Sequence, residues 1–344
     1  MIIHKQVDLQ ELSTFGLKAS AKYLLEFDSH DDLSEVSGFV EDVQLPSMTI
    51  GGGSNLIFCS DYPGVVIKNT SSDISRHGRQ KVTVSSGVVW DDFVVWSISQ
   101  GLCGLEALSG IPGTVGGAVA LNAGAYGTTV KDSLFSVVLY DVHKRKLNSL
   151  TTPELHYGHR SSIFRENRGN NIIIVDATFL LHEKLYLPNH PKINELPYDQ
   201  RSSPSLLRKS ILGLRGHMPN VATNNYAGSF FLNPIIPNKL ADQIRVKFPS
   251  ILMRPFDGRH QQVASGWLLE QSGLRSTRSN KFYFHENHAN FVINESSGAT
   301  GKDLSEFIMS TQEIVYSKFG IQIVPEPLLV GEEFWRGNVL HHAL

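Results

Sequence analysis

The alternation of apolar and polar positions predicts short strands along the first half of the chain. They fall at residues 22–27 (KYLLEF), 64–68 (GVVIK), 81–86 (KVTVSS), 134–140 (LFSVVLY) and 172–181 (IIIVDATFLL), and several are rich in β-branched side chains. Residues 47–58 (SMTIGGGSNLIF) read as a strand running into a loop at 51–55. A helix is expected from a cap at Asp91 or Asp92 through Gln100, with Phe93, Trp96 and Ile98 apolar and Gly101 in the C′ position. In the second half, helices are expected at 205–213, 238–247 and 262–271, and a strand at 289–294. A further helix is capped by Asp303, carries Leu304, Phe307, Ile308, Ile314 and Val315 at helical spacing, and stops at Gly320. A last strand covers 321–330.

Two stretches escape this periodicity. Residues 101–127 hold eight of the 29 glycines and otherwise mostly small or apolar side chains. A membrane span is excluded there, because Glu106, Pro112 and the glycines would leave backbone groups unpaired in lipid. Around residue 183 the composition changes: Pro188, Pro191, Pro197 and Pro204 crowd one segment, as in a linker or mobile loop. The fold class is therefore α+β. The expected parts are a strand-rich domain over 1–183, a linker or lid over 184–204, a smaller α+β domain over 205–323, and a C-terminal strand and tail over 324–344.

Composition adds exclusions. The chain has 344 residues, 41% hydrophobic and 19% charged, with a net charge of −2, so no basic face for nucleic acid is implied. Cys59 and Cys103 are too few for a disulfide framework, and the first ten residues lack the apolar core of a secretion signal. A soluble cytoplasmic protein without nucleic-acid or membrane partners is expected.

The glycines suggest chemistry. Residues 101–127 place backbone N–H groups where no side chain obstructs a phosphate or pyrophosphate. A buried turn system without ligand is the other reading. Gly51-Gly52-Gly53-Ser54-Asn55 is equally a second cradle or a hairpin turn, and matches neither G-x-G-x-x-G nor a P-loop.

Six segments together resemble one family, the UDP-N-acetylenolpyruvoylglucosamine reductases (UDP-N-acetylmuramate dehydrogenases). They are TFG at 14–16, GGGSN at 51–55, GLEALSGIPGTVGGAVALNAGAYG at 104–127, RSSIF at 160–164, AGSFFLNP at 227–234, and PEP at 325–327 followed by LLVG. The resemblance implies a two-lobed FAD-binding domain of the p-cresol methylhydroxylase type plus a separate substrate domain. It gives the two loops a flavin to hold: Gly51, Gly52, Gly53, Ser54 and Asn55 in the first; Ile111, Pro112, Gly113, Thr114, Gly116 and Gly117 in the second; then Asn122, Gly124 and Ala125. Residues 51–55 contain no histidine for covalent attachment, so non-covalent FAD is expected.

The reaction implied is reduction of an enolpyruvyl ether on UDP-N-acetylglucosamine, with NADPH as hydride source and a monomeric enzyme. Charge develops on the carboxylate end, which calls for donors at an enolate and an acid for the α-carbon. The resemblance assigns Arg160 to the carboxylate and to the enolate, Glu326, protonated, as the second enolate stabiliser, and Ser229 to proton delivery. It assigns Tyr126, Arg215, Asn233 and His288 to the sugar nucleotide. Alone, Arg160 reads as a surface arginine pairing with Asp176 or Glu166, Ser229 as a turn residue, Glu326 as an exposed loop residue, and His288 equally as a structural polar residue.

Four departures stand out: Leu232 and His217 where the family usually has lysine, His159 where it usually has tyrosine, and RSTRSNKFYF at 275–284 where most relatives have a glycine-containing segment. Losing a lysine from a diphosphate would cost about 1–3 kcal/mol of binding if the contact was made; Lys131, Lys192 or Lys239 could compensate. Tyr186 and Tyr198 are lid candidates. The departures favour, as an alternative, the same flavin chemistry on a modified sugar nucleotide or another enolpyruvyl ether. A non-catalytic flavin-binding protein and an alcohol oxidase are the remaining readings.

Overall fold

A computed structural model describes residues 1–158, 162–166, 172–219 and 224–331. The chain divides into two units: Met1–Val7, Ala21–Gly52 and Pro63–Gly216 in the first; Asp8–Ser20, Gly53–Tyr62 and the chain from His217 in the second.

Among the described residues the first unit holds two larger sheets, besides the short pair Gly124–Ala125 with Thr128–Thr129. One has four strands in the order Ile2–Asp8, Ser20–Phe27, Tyr62–Asn69, Ser47–Ile50, the last two parallel with Ser47 opposite Val65. The helix Leu33–Val43 buries Leu33, Val36 and Val40 against Leu25, Phe27, Val65 and Ile67. The other sheet is antiparallel, in the order Lys146–Thr151, Leu134–Asp141, Ile172–Leu180, Lys81–Ser85, Ile74–His77. The near-continuous apolar run of Ile172–Leu180 has a physical reason: its two faces serve two cores. Ile173 and Val175 join the cluster around Leu25, whereas Ile174, Ala177 and Phe179 join one built on Trp90, Phe93 and Val115. There Phe179 packs on Phe93 with centroids 5.0 Å apart and on Trp90 at 6.1 Å. Each such ring contributes roughly 2–3 kcal/mol by burial.

The second unit is organised around Phe15, Phe230, Phe231, Phe282, Phe284 and Trp267, closed by Leu304, Ile308, Val315 and Phe319 of the helix Gly301–Phe319. Three-stranded and two-stranded antiparallel pieces surround it (Ile235–Pro237, His260–Val263, Met253–Pro255; Phe282–Phe284, Val292–Asn294). Leu328–Val330 pairs in parallel with Leu56–Phe58. The mixture of helix and sheet is the α+β class expected.

Several boundaries differ. The helix Trp90–Ser99 begins after Val89, in extended backbone, and Asp91 and Asp92 lie in its first turn rather than at the cap. The helix Gly301–Phe319 is capped by Thr300; Asp303 is its reciprocal partner three residues on, accepting the Thr300 N–H at 2.8 Å. Residues 260–263 are strand, and the expected helix over 262–271 shortens to Ser265–Gln271. Of residues 289–294 only Val292–Asn294 is strand, and of 321–330 only Leu328–Val330, with Pro325 in an isolated bridge to Phe231. Within the glycine-rich stretch, Val115–Ala120 is helical.

The division of the chain also falls elsewhere than the expected boundaries. Residues 184–216, expected as a linker followed by the start of the second domain, pack in the first unit. Prolines there begin helices instead of interrupting structure: Pro191 opens Pro191–Asn194 and Pro204 opens Pro204–Arg215, with Ser203 Oγ accepting the Leu206 N–H. Ile193, Leu207 and Ile211 bury against Ala107 and Tyr126. Residues 8–20 and 53–62, expected in the first domain, belong to the second unit.

Candidate functional site

In the first unit the two glycine loops touch. Gly51 and Gly52 leave the strand Ser47–Ile50 and lie on the second loop: a Cβ at Gly51 would sit 2.6 Å from Thr114 Oγ1, and one at Gly52 2.7 Å from Gly113 Cα. Two backbones free of side chains thus converge where any Cβ would fill the gap. That arrangement fits a diphosphate approaching backbone N–H groups, as FAD requires.

The second loop is gripped at several points. Trp90 donates its backbone N–H to Gly113 O and its indole Nε1–H to Leu108 O, both at 3.0 Å. The Asp91 carboxylate accepts the Gly110 N–H at 2.7 Å. Thr114 caps the helix Val115–Ala120, accepting the Gly117 N–H. Ile111 packs on the core around Trp90. Gly116 has a structural reason to be glycine: its N–H donates to Ser86 O at 2.9 Å, and a Cβ would meet Ser86 Cβ at 2.8 Å. Asn122, at φ +45°, accepts the Lys131 N–H at 2.9 Å, and Gly124–Ala125 pairs with Thr128–Thr129. Asn122 thus shapes the turn through its side-chain carbonyl.

The structure brings Tyr126 and Arg215 together. Arg215 ends the helix Pro204–Arg215 and lies over Gly110, its Nε 3.3 Å from where a Cβ would be. The Tyr126 ring is buried, edge-on to His190 at 5.6 Å, and its hydroxyl has no hydrogen-bond partner among the described residues. Burial pushes the Tyr126 phenol up, and the Arg215 charge opposes the shift. An unsatisfied buried hydroxyl beside a guanidinium suits an anionic, hydrogen-bonding ligand.

Arg160 lies outside the described residues, as does His159. The chain on either side is anchored to the helix Val115–Ala120: Tyr157 Oη donates to Val119 O and Ser162 Oγ to Ala120 O, both at 2.7 Å. Asp176, one alternative partner for Arg160, is engaged by His30 Nε2 at 2.8 Å and Ser85 Oγ at 3.0 Å.

In the second unit, the segments bearing Ser229 and Glu326 run side by side. The Glu326 N–H donates to Phe230 O at 2.8 Å, and the Leu232 N–H to Val324 O at 2.9 Å. Gly228, at φ +63°, turns the chain into Ser229, and Asn55 Oδ1 lies 4.0 Å from its Cβ position. Asn55 O in turn accepts the Leu328 N–H at 2.9 Å. Gly53, at φ +65°, admits no side chain: a Cβ would fall 1.9 Å from Leu12 O. Ser54 lies between it and Asn55, in the same unit. Ser229 and Glu326 are both half-buried. The fold holds them on adjacent backbone, so neither is an isolated loop residue.

The substrate candidates of this unit have structural jobs. Asn233 accepts the Ser265 N–H at 2.9 Å, at the start of the helix Ser265–Gln271, and His288 packs edge-on to Phe291. Of the departures, Leu232 is half-buried and His217 exposed. The cations of residues 275–284 meet carboxylates: Arg275 with Glu270, Arg278 with Glu295, Lys281 with Asp303. Lys131, Lys192 and Lys239 are exposed, as are Tyr186 and Tyr198. Among the described residues no helix is long and apolar enough to cross a membrane, and no group of three or more His, Cys, Asp or Glu could hold a metal.

Trp90, Asp91 and Arg208 are functional candidates that sequence reasoning missed. Asp91 was visible only as a helix cap, and no periodicity connects it to Arg208, which donates to it across 117 positions.

Comparison with known proteins agrees with this arrangement. Residues 21–141 match the model of an FAD binding domain, and 220–330 that of the UDP-N-acetylenolpyruvoylglucosamine reductase C-terminal domain. The UDP-N-acetylenolpyruvoylglucosamine reductase of Pseudomonas putida is 31% identical over 333 residues, covering 94% of this chain and 98% of the relative. That of Chromobacterium violaceum is 32% identical over 335 residues, with the same coverage. The crystal structure of the Thermus caldophilus enzyme shares the fold, with a TM-score of 0.69 at 22% identity, covering 96% of this chain and all of the other. The chain belongs to the UDP-N-acetylenolpyruvoylglucosamine reductase family.

Proposed function

We propose that the chain is an NADPH-dependent flavoenzyme that reduces the enolpyruvyl ether of UDP-N-acetylglucosamine to UDP-N-acetylmuramate, a step of peptidoglycan precursor synthesis. The observation that carries this reading to particular residues is the pairing of the Ser229 and Glu326 segments through Phe230 O and the Glu326 N–H. When bound, FAD would supply hydride transfer between NADPH and the β-carbon of the enol double bond. Gly51, Gly52 and Gly113 give its diphosphate access to backbone, and with no histidine in residues 51–55 the flavin is held non-covalently. Arg160 binds the substrate carboxylate with its bidentate fork. Glu326, protonated, donates a hydrogen bond to the enolate oxygen. The Ser229 hydroxyl transfers its proton to the α-carbon and recovers one from solvent or a relay. Arg215 and the Tyr126 hydroxyl take a polar, anionic part of the sugar nucleotide; Asn233 and His288 are the substrate-binding candidates of the second unit. The enzyme works as a monomer in the cytoplasm, without nucleic acid.

The test is anaerobic. The flavin is reduced with NADPH, the enolpyruvyl UDP-N-acetylglucosamine is added, and flavin absorbance is followed. Rapid reoxidation is expected; reduction without reoxidation would sink the substrate assignment. Leu232 and His217, in place of lysines, favour a second reading in which the same chemistry serves a modified sugar nucleotide or another enolpyruvyl ether. Saturation by the standard substrate at micromolar concentration would eliminate it.

A further inference from the structure

An ion pair ties the helix Pro204–Arg215 to Asp91, the residue that holds Gly110 of the second glycine loop. Arg208 Nη1 and Nη2 donate to Asp91 Oδ1 and Oδ2 at 2.6 and 2.8 Å, fork on fork. The same carboxylate accepts the Gly110 N–H at 2.7 Å. The side chains are 18% and 30% exposed, so solvent screens the pair far less than an open surface bridge. Burial pushes the Asp91 carboxyl up, but the Arg208 and Gly110 hydrogen bonds and the Arg208 and Arg215 charges hold it below its usual value and keep it ionised.

Gly110 is the residue whose freedom this removes. It has φ +70° and immediately precedes Ile111-Pro112-Gly113. A Cβ there would meet Leu212 at 2.9 Å and Arg215 at 3.3 Å, so the helix that supplies Arg208 also lies over it. Leu207 and Ile211 seat that helix on Ala107 and Tyr126.

We propose that Asp91 and Arg208 are positioning residues for the cofactor: the pair fixes Gly110 and thereby the path of residues 111–113 against Gly52. Neither side chain touches the flavin in this scheme. Without Arg208, Asp91 is free to turn to water, the Gly110 N–H loses its acceptor, and the loop spends part of its time in conformations that do not receive the diphosphate. FAD affinity then falls by the fraction of time the loop is incompetent.

The inference rests on the reading that residues 111–117 face the flavin, so the experiment must separate the two. The deflavinated full-length protein is titrated with FAD, following flavin fluorescence, and the same flavin-free samples are melted by circular dichroism. Arg208→Met and Asp91→Asn are each expected to weaken FAD about tenfold to a hundredfold, the loss appropriate to a charged hydrogen-bond network. Arg208→Lys is expected to recover part of the affinity through a single contact. The flavin-free melting temperature should move by less than about 3 °C in all three. Affinities within twofold of the parent would overturn the proposal. So would losses matched by collapse of the flavin-free protein with no rescue by lysine. Gly113→Val is the control, because φ +108° at that position excludes a branched side chain. Unchanged FAD binding in Gly113→Val would mean the loop does not face the flavin. Lost binding there, with the pair variants unaffected, would sink the positioning inference alone.

Discussion

The glycine loops of the first unit and the Ser229–Glu326 segments of the second solve different problems. At the loops, groups that suit the ligand are backbone, and side chains arrive from outside to hold them: Trp90 at Gly113 and Leu108, Asp91 at Gly110. At Ser229 and Glu326 the order is reversed. The candidate reactive groups are side chains, and the backbone beneath them is held largely by backbone, Glu326 to Phe230 and Leu232 to Val324. Asn290 completes that ladder, accepting the Phe231 N–H at 2.9 Å and donating to Phe231 O at 2.8 Å, as a neighbouring strand would. Cofactor affinity should therefore be sensitive to added atoms, and turnover to deleted ones.

Four substitutions sharpen that contrast. The largest effect is expected from Gly53→Ala, which combines positive φ with a Cβ 1.9 Å from Leu12 O. A destabilisation of about 3 kcal/mol or more should appear in urea unfolding, with loss of bound flavin; a midpoint equal to the parent's would show that the loop relaxes freely. Next comes Ser229→Ala. Flavin reduction by NADPH should be unchanged, while reoxidation by the enolpyruvyl substrate slows by about a hundredfold or more. Equal reoxidation rates would place the proton donor elsewhere.

Asn290→Ala should cost about 2–3 kcal/mol, because it leaves a buried N–H and C=O of Phe231 without partners. Chemical denaturation measures this, and a loss below 1 kcal/mol, roughly that of a single solvated bond, would mean water replaces the amide. Glu106→Gln should give the smallest change, and its sign depends on pH. Burial pushes the Glu106 carboxyl up, against opposing hydrogen bonds from the backbone and Cys103. A carboxyl raised in the folded state adds stability below its unfolded value and loses it as pH rises through the folded one. The glutamine variant lacks that titration, so its advantage over the parent should grow from pH 4 to pH 8. A pH-independent difference would show that Glu106 titrates alike in both states.

Much of the fold could be read from the chain because it rests on local rules. Lys81–Ser85 alternates as a half-buried strand should, and Gly101 (φ +71°) and Gly320 (φ +66°) end helices in the left-handed conformation for which glycine is suited. The glycine loops were legible for the same reason. Caps were less so: Thr300 and Asp303 are chemically both good caps, and only the reciprocal hydrogen bonds say which residue begins the helix. The packing of 184–216 with the first unit is not legible in the sequence, because proline content is local whereas the anchoring is not. Leu207 and Ile211 pack on Ala107 and Tyr126, far earlier in the chain. The Asp91–Arg208 pair is hidden for the same reason. Arg160, Ser229 and Glu326 are candidates by resemblance alone, since serine after glycine or glutamate between prolines carries no chemical signal of its own.

The way the second unit is threaded has a consequence for how the protein is made. Its core contains Phe15, Leu17, Ile57 and Cys59, yet the residues that cover them come from 227 onward, and Leu56–Phe58 finds its parallel partner only in Leu328–Val330. On the ribosome these early apolar segments emerge long before their partners are synthesised. Cys59 O, against which Gly301 packs too closely for a Cβ, is likewise made some 240 residues ahead of that neighbour. The second unit can therefore complete its core only after Leu328–Val330 has been made, and until then the nascent chain carries Phe15 and Ile57 without the residues that bury them in the folded protein.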